Sequence, residues 1–196
     1  PASRTASGLQ RDDPDVVIAV GEEEKDEPLG EHPVLAKEQR DLDTASYRKG
    51  RDASAIGTAV HGVLQAVDLL THEGLDALVT MQCLAEGIPQ HEGIVRDYAL
   101  RALNSDLVRR AAESEHWRES LLGMRDEQGE IVEGFADLIF REPDGSLHVV
   151  DYKTDAVRDA QDRARLEAFY QPQLSAYARM LEAATECRVS GSLLFL

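Results

Sequence analysis

The chain has 196 residues, 42% of them apolar and 30% charged, which fits one globular domain, or one domain with a tail, and argues against a second full domain. It holds no run of 18 apolar residues to span a bilayer and no charged-then-apolar leader for export, so a soluble, cytoplasmic protein is expected, with no membrane partner. With 37 acidic against 21 basic residues the formal charge is −16, a poor grip for a polyanion, because phosphate contacts come from Lys and Arg.

Residues 1 to 50 are rich in Asp, Glu, Pro, Gly and Ser, with an acidic run at Glu22 to Glu27 and one apolar patch, Val16 to Val20. This composition reads as an acidic linker or partly disordered arm, and a chain that opens Pro-Ala-Ser without Met reads as a piece of something longer. A single domain is expected over residues 51–196. From Ala53 to Leu70 the apolar side chains Ile56, Val60, Val63, Val67 and Leu70 keep one face of a 3.6-residue period, which predicts a core-facing helix. Leu75–Glu86 and Gly93–Ala112 predict two more helices, parted by Gly87-Ile88-Pro89, as an insertion after the first core helix.

The pattern then changes. Trp117–Met124, Ile131–Phe140 and Leu147–Lys153 are short runs split by Asp126-Glu127-Gln128-Gly129 and Pro143-Asp144-Gly145, the signature of a three-stranded antiparallel meander. A helix over Arg165–Ala184 and a strand over Val189–Leu196 complete the chain. The order of helix, meander, helix and strand predicts an α/β fold, a mixed central sheet flanked by helices. Cys83 and Cys187 are far apart and outside any C-x-x-C pair, so neither disulfides nor a zinc or iron–sulfur site is expected.

The meander carries the chemistry. Asp151 and Lys153 are two apart on one strand and project to the same face, while Val150 and Tyr152 point the other way. Pro143-Asp144-Gly145 suits a three-residue loop with Gly in the left-handed region, which pairs Glu142 with Ser146 and, counting back, sets Asp137 opposite Asp151. Two carboxylates so placed repel unless something neutralises them, and a divalent cation does so. Oxygen-rich sites of this kind suit Mg²⁺ or Mn²⁺, which activate water, and Lys153 could orient or deprotonate that water and offset phosphoryl charge. The plainer alternative is a surface ion pair of Asp151 with Lys153 and a solvated Asp137. Against it stand the apolar runs Phe135–Phe140 and Val149–Tyr152, since burying an unpaired charge costs several kcal/mol.

Gly57-Thr58-Ala59-Val60-His61, Gly134-Phe135-Ala136-Asp137, Asp151-Tyr152-Lys153-Thr154-Asp155 and Gln173-Leu174-Ser175-Ala176-Tyr177, in that order, resemble the RecB-like branch of the PD-(D/E)XK nucleases. The resemblance implies a restriction-endonuclease-like sheet with helices on both faces. It implies His61, Asp137 and Asp151 as metal ligands, Asp137, Asp151 and Lys153 as catalytic residues, and Gln173 and Tyr177 on the substrate side. Each has a bland alternative: His61 as a packed or surface histidine, Tyr177 as part of its helix's core stripe, and Gly57, which leaves room beside that helix face, as simple helix packing. Glu133 points to the same strand face as Asp137 and has an alternative as an acid just outside the ligands, and Glu119 lies in the preceding strand, but both read as surface charge.

The branch includes members with a four-cysteine iron–sulfur cluster, which two cysteines cannot build alone. The Asp-Tyr-Lys-Thr-Asp run resembles the nuclease domain at the C-terminus of bacterial helicase–nucleases of the RecB, AddA and UvrD-like type. That implies a DNA exonuclease working near the nucleoid in double-strand break repair and recombination, with a linked or associated helicase motor supplying the DNA grip that a net charge of −16 denies. The rival expectations are a nuclease-like module that guides DNA or scaffolds a complex without turnover, and a metal hydrolase acting on a smaller phosphate ester.

Overall fold

The structure, a computed structural model, describes residues 3–5, 44–125 and 131–196. The first core helix, α1, runs Thr44–Ala66, so helix reaches into the segment read as an arm; the acidic run Glu22–Glu27 and the Val16–Val20 patch lie outside the described residues. Ala59, Val60, Val63 and Leu64 carry its apolar face into the core. The helix ends sooner than expected because Asp68 Oδ1 accepts from the backbone N–H groups of Leu70 (2.9 Å) and Thr71 (2.6 Å), which turns the chain and leaves Leu70 exposed instead of continuing the apolar face.

The helical insertion is α2 (Leu75–Ala85), a 3₁₀ turn (Pro89–His91), α3 (Glu92–Leu103) and α4 (Asp106–Ala112). The single helix read over Gly93–Ala112 is two, because Ser105 caps the second: its Oγ accepts from the Val108 N–H at 3.2 Å. A serine in an extended backbone followed by Asp106 is a start signal that apolar periodicity runs straight through.

Among the described residues the sheet has five strands: β1 (Ser3–Thr5), β2 (His116–Arg125), β3 (Ile131–Arg141), β4 (Leu147–Lys153) and β5 (Val189–Phe195). β2, β3 and β4 form the expected antiparallel meander, and β5 joins β4 in parallel through the crossover helix α5 (Ala160–Thr185). The Asp126–Gly129 turn lies outside the described residues. The β3–β4 turn follows its sequence: Glu142 donates to Ser146 O at 2.9 Å, and Gly145 takes φ +86°. Pairing then runs from Arg141–Leu147 to Leu138–Val150 and stops.

With β2 occupying one edge of β3 along its length, β4 and β1 share the other edge; β1 pairs only with Ile131–Glu133. Between the two, β3 and β4 fork, and Asp137 and Asp151 sit at the fork. Apolar side chains fill both faces. Leu138, Phe140, Val150 and Tyr152 pack with α1 and the insertion, whereas Ile139, Leu147 and Val149 pack with Leu174, Tyr177 and Met180 of α5.

Gly191 on β5 lets α5 settle on the sheet: a Cβ there would lie 2.9 Å from Leu174 Cγ and 3.2 Å from Val149 Cγ1. Gly191→Ala is therefore expected to destabilise the domain by about 1–3 kcal/mol through overpacking. Gly93→Ala on α3, where an added methyl meets nothing within 4 Å, is expected to be neutral or slightly stabilising. Urea unfolding of the two variants checks this, and equal midpoints would refute the close approach of α5.

Candidate active site

Asp137 is the hub of the fork. One carboxylate oxygen, Oδ1, lies 3.0 Å from His61 Nδ1 on α1, and the other, Oδ2, accepts the Tyr152 backbone N–H at 2.6 Å. That amide has lost its ladder partner because β4 has left β3, and a side chain on the opposing strand satisfies it instead. The distortion spans both neighbouring strands. Ala136 packs with the α5 side together with Ile139, while Leu138 packs with α1, so the alternation of faces slips around Asp137. On β2 the residue between the pairs Arg118–Leu138 and Ser120–Ala136 is Glu119, which holds φ +47°, a costly conformation for a residue with a Cβ.

That slip brings Glu119 to the site. Ligand atoms of His61, Glu119 and Asp137 all lie within 4.8 Å of one another, a candidate divalent-cation site made of one imidazole and two carboxylates. Glu119 reads as surface charge in the sequence. Strand alternation gives no hint of the slip, and Asp126-Glu127-Gln128-Gly129 specifies no single loop type from which Asp137 could be counted across to β2. Arg118, its neighbour, points back to α1 and donates to the carbonyls of Leu64 and Val67, serving the C-terminal end of a helix that has no basic residue in its own last turn.

Asp151 stands beside this trio and is 3% exposed. Its Oδ2 is 2.7 Å from Lys153 Nζ, an ion pair, and has no hydrogen-bond partner among the described residues. Of the predicted ligands, His61 and Asp137 are in direct contact and Asp151 is their electrostatic neighbour. Burial, and then the charge of Asp137, push the Asp151 carboxyl up to about 6, with Lys153 and His61 only partly offsetting them. Burial and Asp137 likewise raise Glu119. Burial lowers His61, but the Asp137 hydrogen bond and the charges of Asp137, Asp151 and Glu119 outweigh it and the imidazole is raised overall. All three groups thus favour the protonated form, the response of a site with too much negative charge and too few cations. A hard divalent cation fits that donor set.

Lys153 Nζ donates to Gln173 Oε1 at 3.0 Å, and Gln173 Nε2 donates to the Tyr177 hydroxyl at 3.0 Å. Gln173 and Tyr177 do share a face of α5, as their spacing requires, but both are buried, and this chain of hydrogen bonds leads to the lysine. Gly57 is close to the same loop: a Cβ on it would meet Thr154 Oγ1 at 3.2 Å, which identifies the element that the glycine admits. Tyr152, whose ring meets His61 edge-on at 6.0 Å, is buried on the α1 side and its hydroxyl has no hydrogen-bond partner among the described residues.

The family model of the PD-(D/E)XK nuclease superfamily matches residues 36–196, a span that contains every residue of this site. The relatives include three large ATP-dependent helicase/nuclease subunits of the A type. The one from Desulforudis audaxviator is 32% identical over 178 residues, 79% of this chain and 14% of the relative. Those from Staphylococcus epidermidis and Bacillus anthracis are each 30% identical, over 75% and 76% of this chain and again 14% of the relative. The chain thus spans about one-seventh of the length of these relatives. With His61, Asp137, Asp151 and Lys153 gathered at the fork of a mixed sheet and the match running from before α1 to the end of β5, the chain belongs to the PD-(D/E)XK nuclease superfamily.

Proposed function

We propose that this domain is a DNA nuclease, an exonuclease that hydrolyses phosphodiester bonds at the forked end of β3 and β4 and works in the cytoplasm as part of a helicase–nuclease of double-strand break repair. The observation that carries the reading is the under-neutralised cluster of buried Asp137 and Asp151 with half-buried Glu119, and Lys153 beside it. An idle set of surface charges would be solvated and spread apart.

His61, Asp137 and Asp151 would hold Mg²⁺ or Mn²⁺, with Glu119 as a further donor. Such a cation, when bound, lowers the pKa of water and balances charge on a phosphoryl group. The chain's own residues do the rest. Asp137 fixes His61 and the β4 backbone in one geometry, so the donors are in place before substrate arrives. Asp151 holds the Lys153 ammonium at the fork, where it can orient the attacking water and meet the charge that develops on the phosphate. Gln173, held by Tyr177, fixes the same ammonium from the α5 side, so the pair acts on substrate through the lysine. No iron–sulfur cluster enters the proposal: Cys83 is buried in the insertion core, and Cys187 follows α5.

Asp151→Ala and Lys153→Ala are each expected to lower cleavage of linear DNA in Mn²⁺ on the order of 100-fold. The comparison is best made on single- and double-stranded substrates, with the domain also fused to its natural neighbours to supply DNA affinity. A wild-type domain that cuts no better than either variant under all these conditions would sink the nuclease reading.

The pH dependence has a definite sign. Asp151 has a folded pKa of about 6, above its ordinary 3.8, so its protonation favours the fold and its contribution to stability falls as pH rises from about 4 through 6. His61 is also raised, so its contribution is present below about 6.5 and is lost as pH rises through the folded value. Metal ligands must be deprotonated, so bound cation stabilises more as pH rises. The rise in Tm on adding saturating Mn²⁺ is expected to be larger at pH 8 than at pH 5.5, by on the order of 1–3 kcal/mol in stability. Scanning fluorimetry at both pH values decides it, and an equal rise at each would count against cation binding by these groups.

A further inference from the structure

Tyr170 lies one turn of α5 before Gln173, outside the motifs that the sequence displays. Its ring is under the Lys153 ammonium, with Nζ 4.1 Å from the ring centroid. Its hydroxyl donates to Asp155 Oδ2 at 2.7 Å, two residues beyond the lysine. Lys153 Nζ therefore has three neighbours from three directions: Asp151 Oδ2 at 2.7 Å, Gln173 Oε1 at 3.0 Å and the face of Tyr170. Tyr170 and Gln173 are three residues apart and lie on one helix face, and Gln173 leads on to Tyr177. One face of α5 thus presents a tyrosine, a glutamine and a second tyrosine toward the end of β4.

We propose that Tyr170 is a positioning residue for Lys153: its ring confines the ammonium to the fork, and its hydroxyl locks the ring by tying α5 to the loop that follows β4. A lysine has a flexible four-carbon stem and a point charge, so two oxygen partners leave it free to swing about them. An aromatic face is electron-rich and attracts a cation without accepting its proton, which closes the remaining direction without adding a carboxylate to an already overcharged site. Burial and the Asp155 bond raise the Tyr170 hydroxyl, consistent with its serving as a donor. Asp155 gains a role too, since it holds the hydroxyl and through it the orientation of the ring.

The proposal rests on the nuclease reading only for its effect on turnover, because the lysine's placement is observable without catalysis. The chain has four lysines, and Lys25, Lys37 and Lys49 all precede residue 50. In a lysine-labelled sample of the whole chain, the Lys153 ε-methylene signal, assigned with Lys153→Arg, is expected upfield of the other three because of the ring current of Tyr170. Tyr170→Leu should move it back among them, whereas Tyr170→Phe, which keeps the ring, should leave it upfield. In Mn²⁺-dependent cleavage, Tyr170→Leu should lower kcat by about tenfold with KM unchanged. Tyr170→Phe should lose less, and Mn²⁺ affinity by calorimetry should stay within about twofold of wild type in both, as the ring meets Lys153, which is not among the proposed ligands.

Tyr170→Met, ringless and of similar length, carries the same comparison should the leucine variant fail to fold. An unshifted Lys153 signal in the wild type, a signal that Tyr170→Leu or Tyr170→Met leaves in place, or equal kcat losses in the Phe and ringless variants would each overturn the proposal. A wild-type chain that shows the upfield signal yet cuts no DNA would overturn the nuclease reading while supporting the placement of the lysine.

Discussion

The fold turns on one carboxylate. Asp137 accepts the Tyr152 amide with one oxygen and meets His61 with the other, and in doing so it joins β3, β4 and α1 at the place where the sheet opens. A sheet that forks exposes ladder amides and carbonyls, which costs free energy unless partners are found. A side-chain acceptor on the neighbouring strand supplies one, so the same group that stabilises the opening also sits inside it. Asparagine at this position could in principle accept the amide but would carry no charge for a cation, so the structural demand alone does not explain an aspartate.

The charge at the fork is the cost of that arrangement. Asp151 is buried beside Asp137 with one compensating ammonium, and Glu119 approaches from β2 in a strained backbone conformation. The charge at each would be relieved by a neutral substitute and the backbone strain at Glu119 by glycine, and sites that retain such unfavourable features are where function is found. The two hydrophobic cores on either face hold the sheet firmly enough to bear it: Leu138, Phe140, Val150 and Tyr152 on the α1 side, Ile139, Val149, Leu174 and Tyr177 on the other.

How far the sequence reveals this depends on whether a feature is local. The β3–β4 register is legible because Pro143-Asp144-Gly145 specifies its own turn and the pairs follow by counting as far as Leu138–Val150, whereas the next counted pair, Asp137 with Asp151, is not formed because the strands fork there. β2 has no such anchor, and the slip of alternation at Asp137 and Glu119 is a tertiary distortion, so Glu119 is invisible in the sequence as a site residue. The break at Ser105 and the early end of α1 at Asp68 are written in capping and turn residues that a reading by apolar period passes over. Tyr170 falls between these cases: it stands one turn from a recognisable Gln–Tyr pair, but only the packing of α5 on β4 shows that its ring meets the lysine.

The acidity of the chain bears on how such a site would be used. Near Lys153, the arginines at the start of α5 are engaged by their own helix or its approach: Arg158 and Arg165 with Asp162, and Arg163 with Glu167. These are exposed pairs of small individual worth, yet they lower the positive potential that a phosphate backbone would meet there. With a net charge of −16 over the whole chain, long-range steering also disfavours DNA. Under the proposed function, cutting and holding are then separate tasks. A strand delivered by a tethered motor meets the fork at high effective concentration, and a domain that binds DNA weakly by itself releases each product readily and cuts only what it is fed.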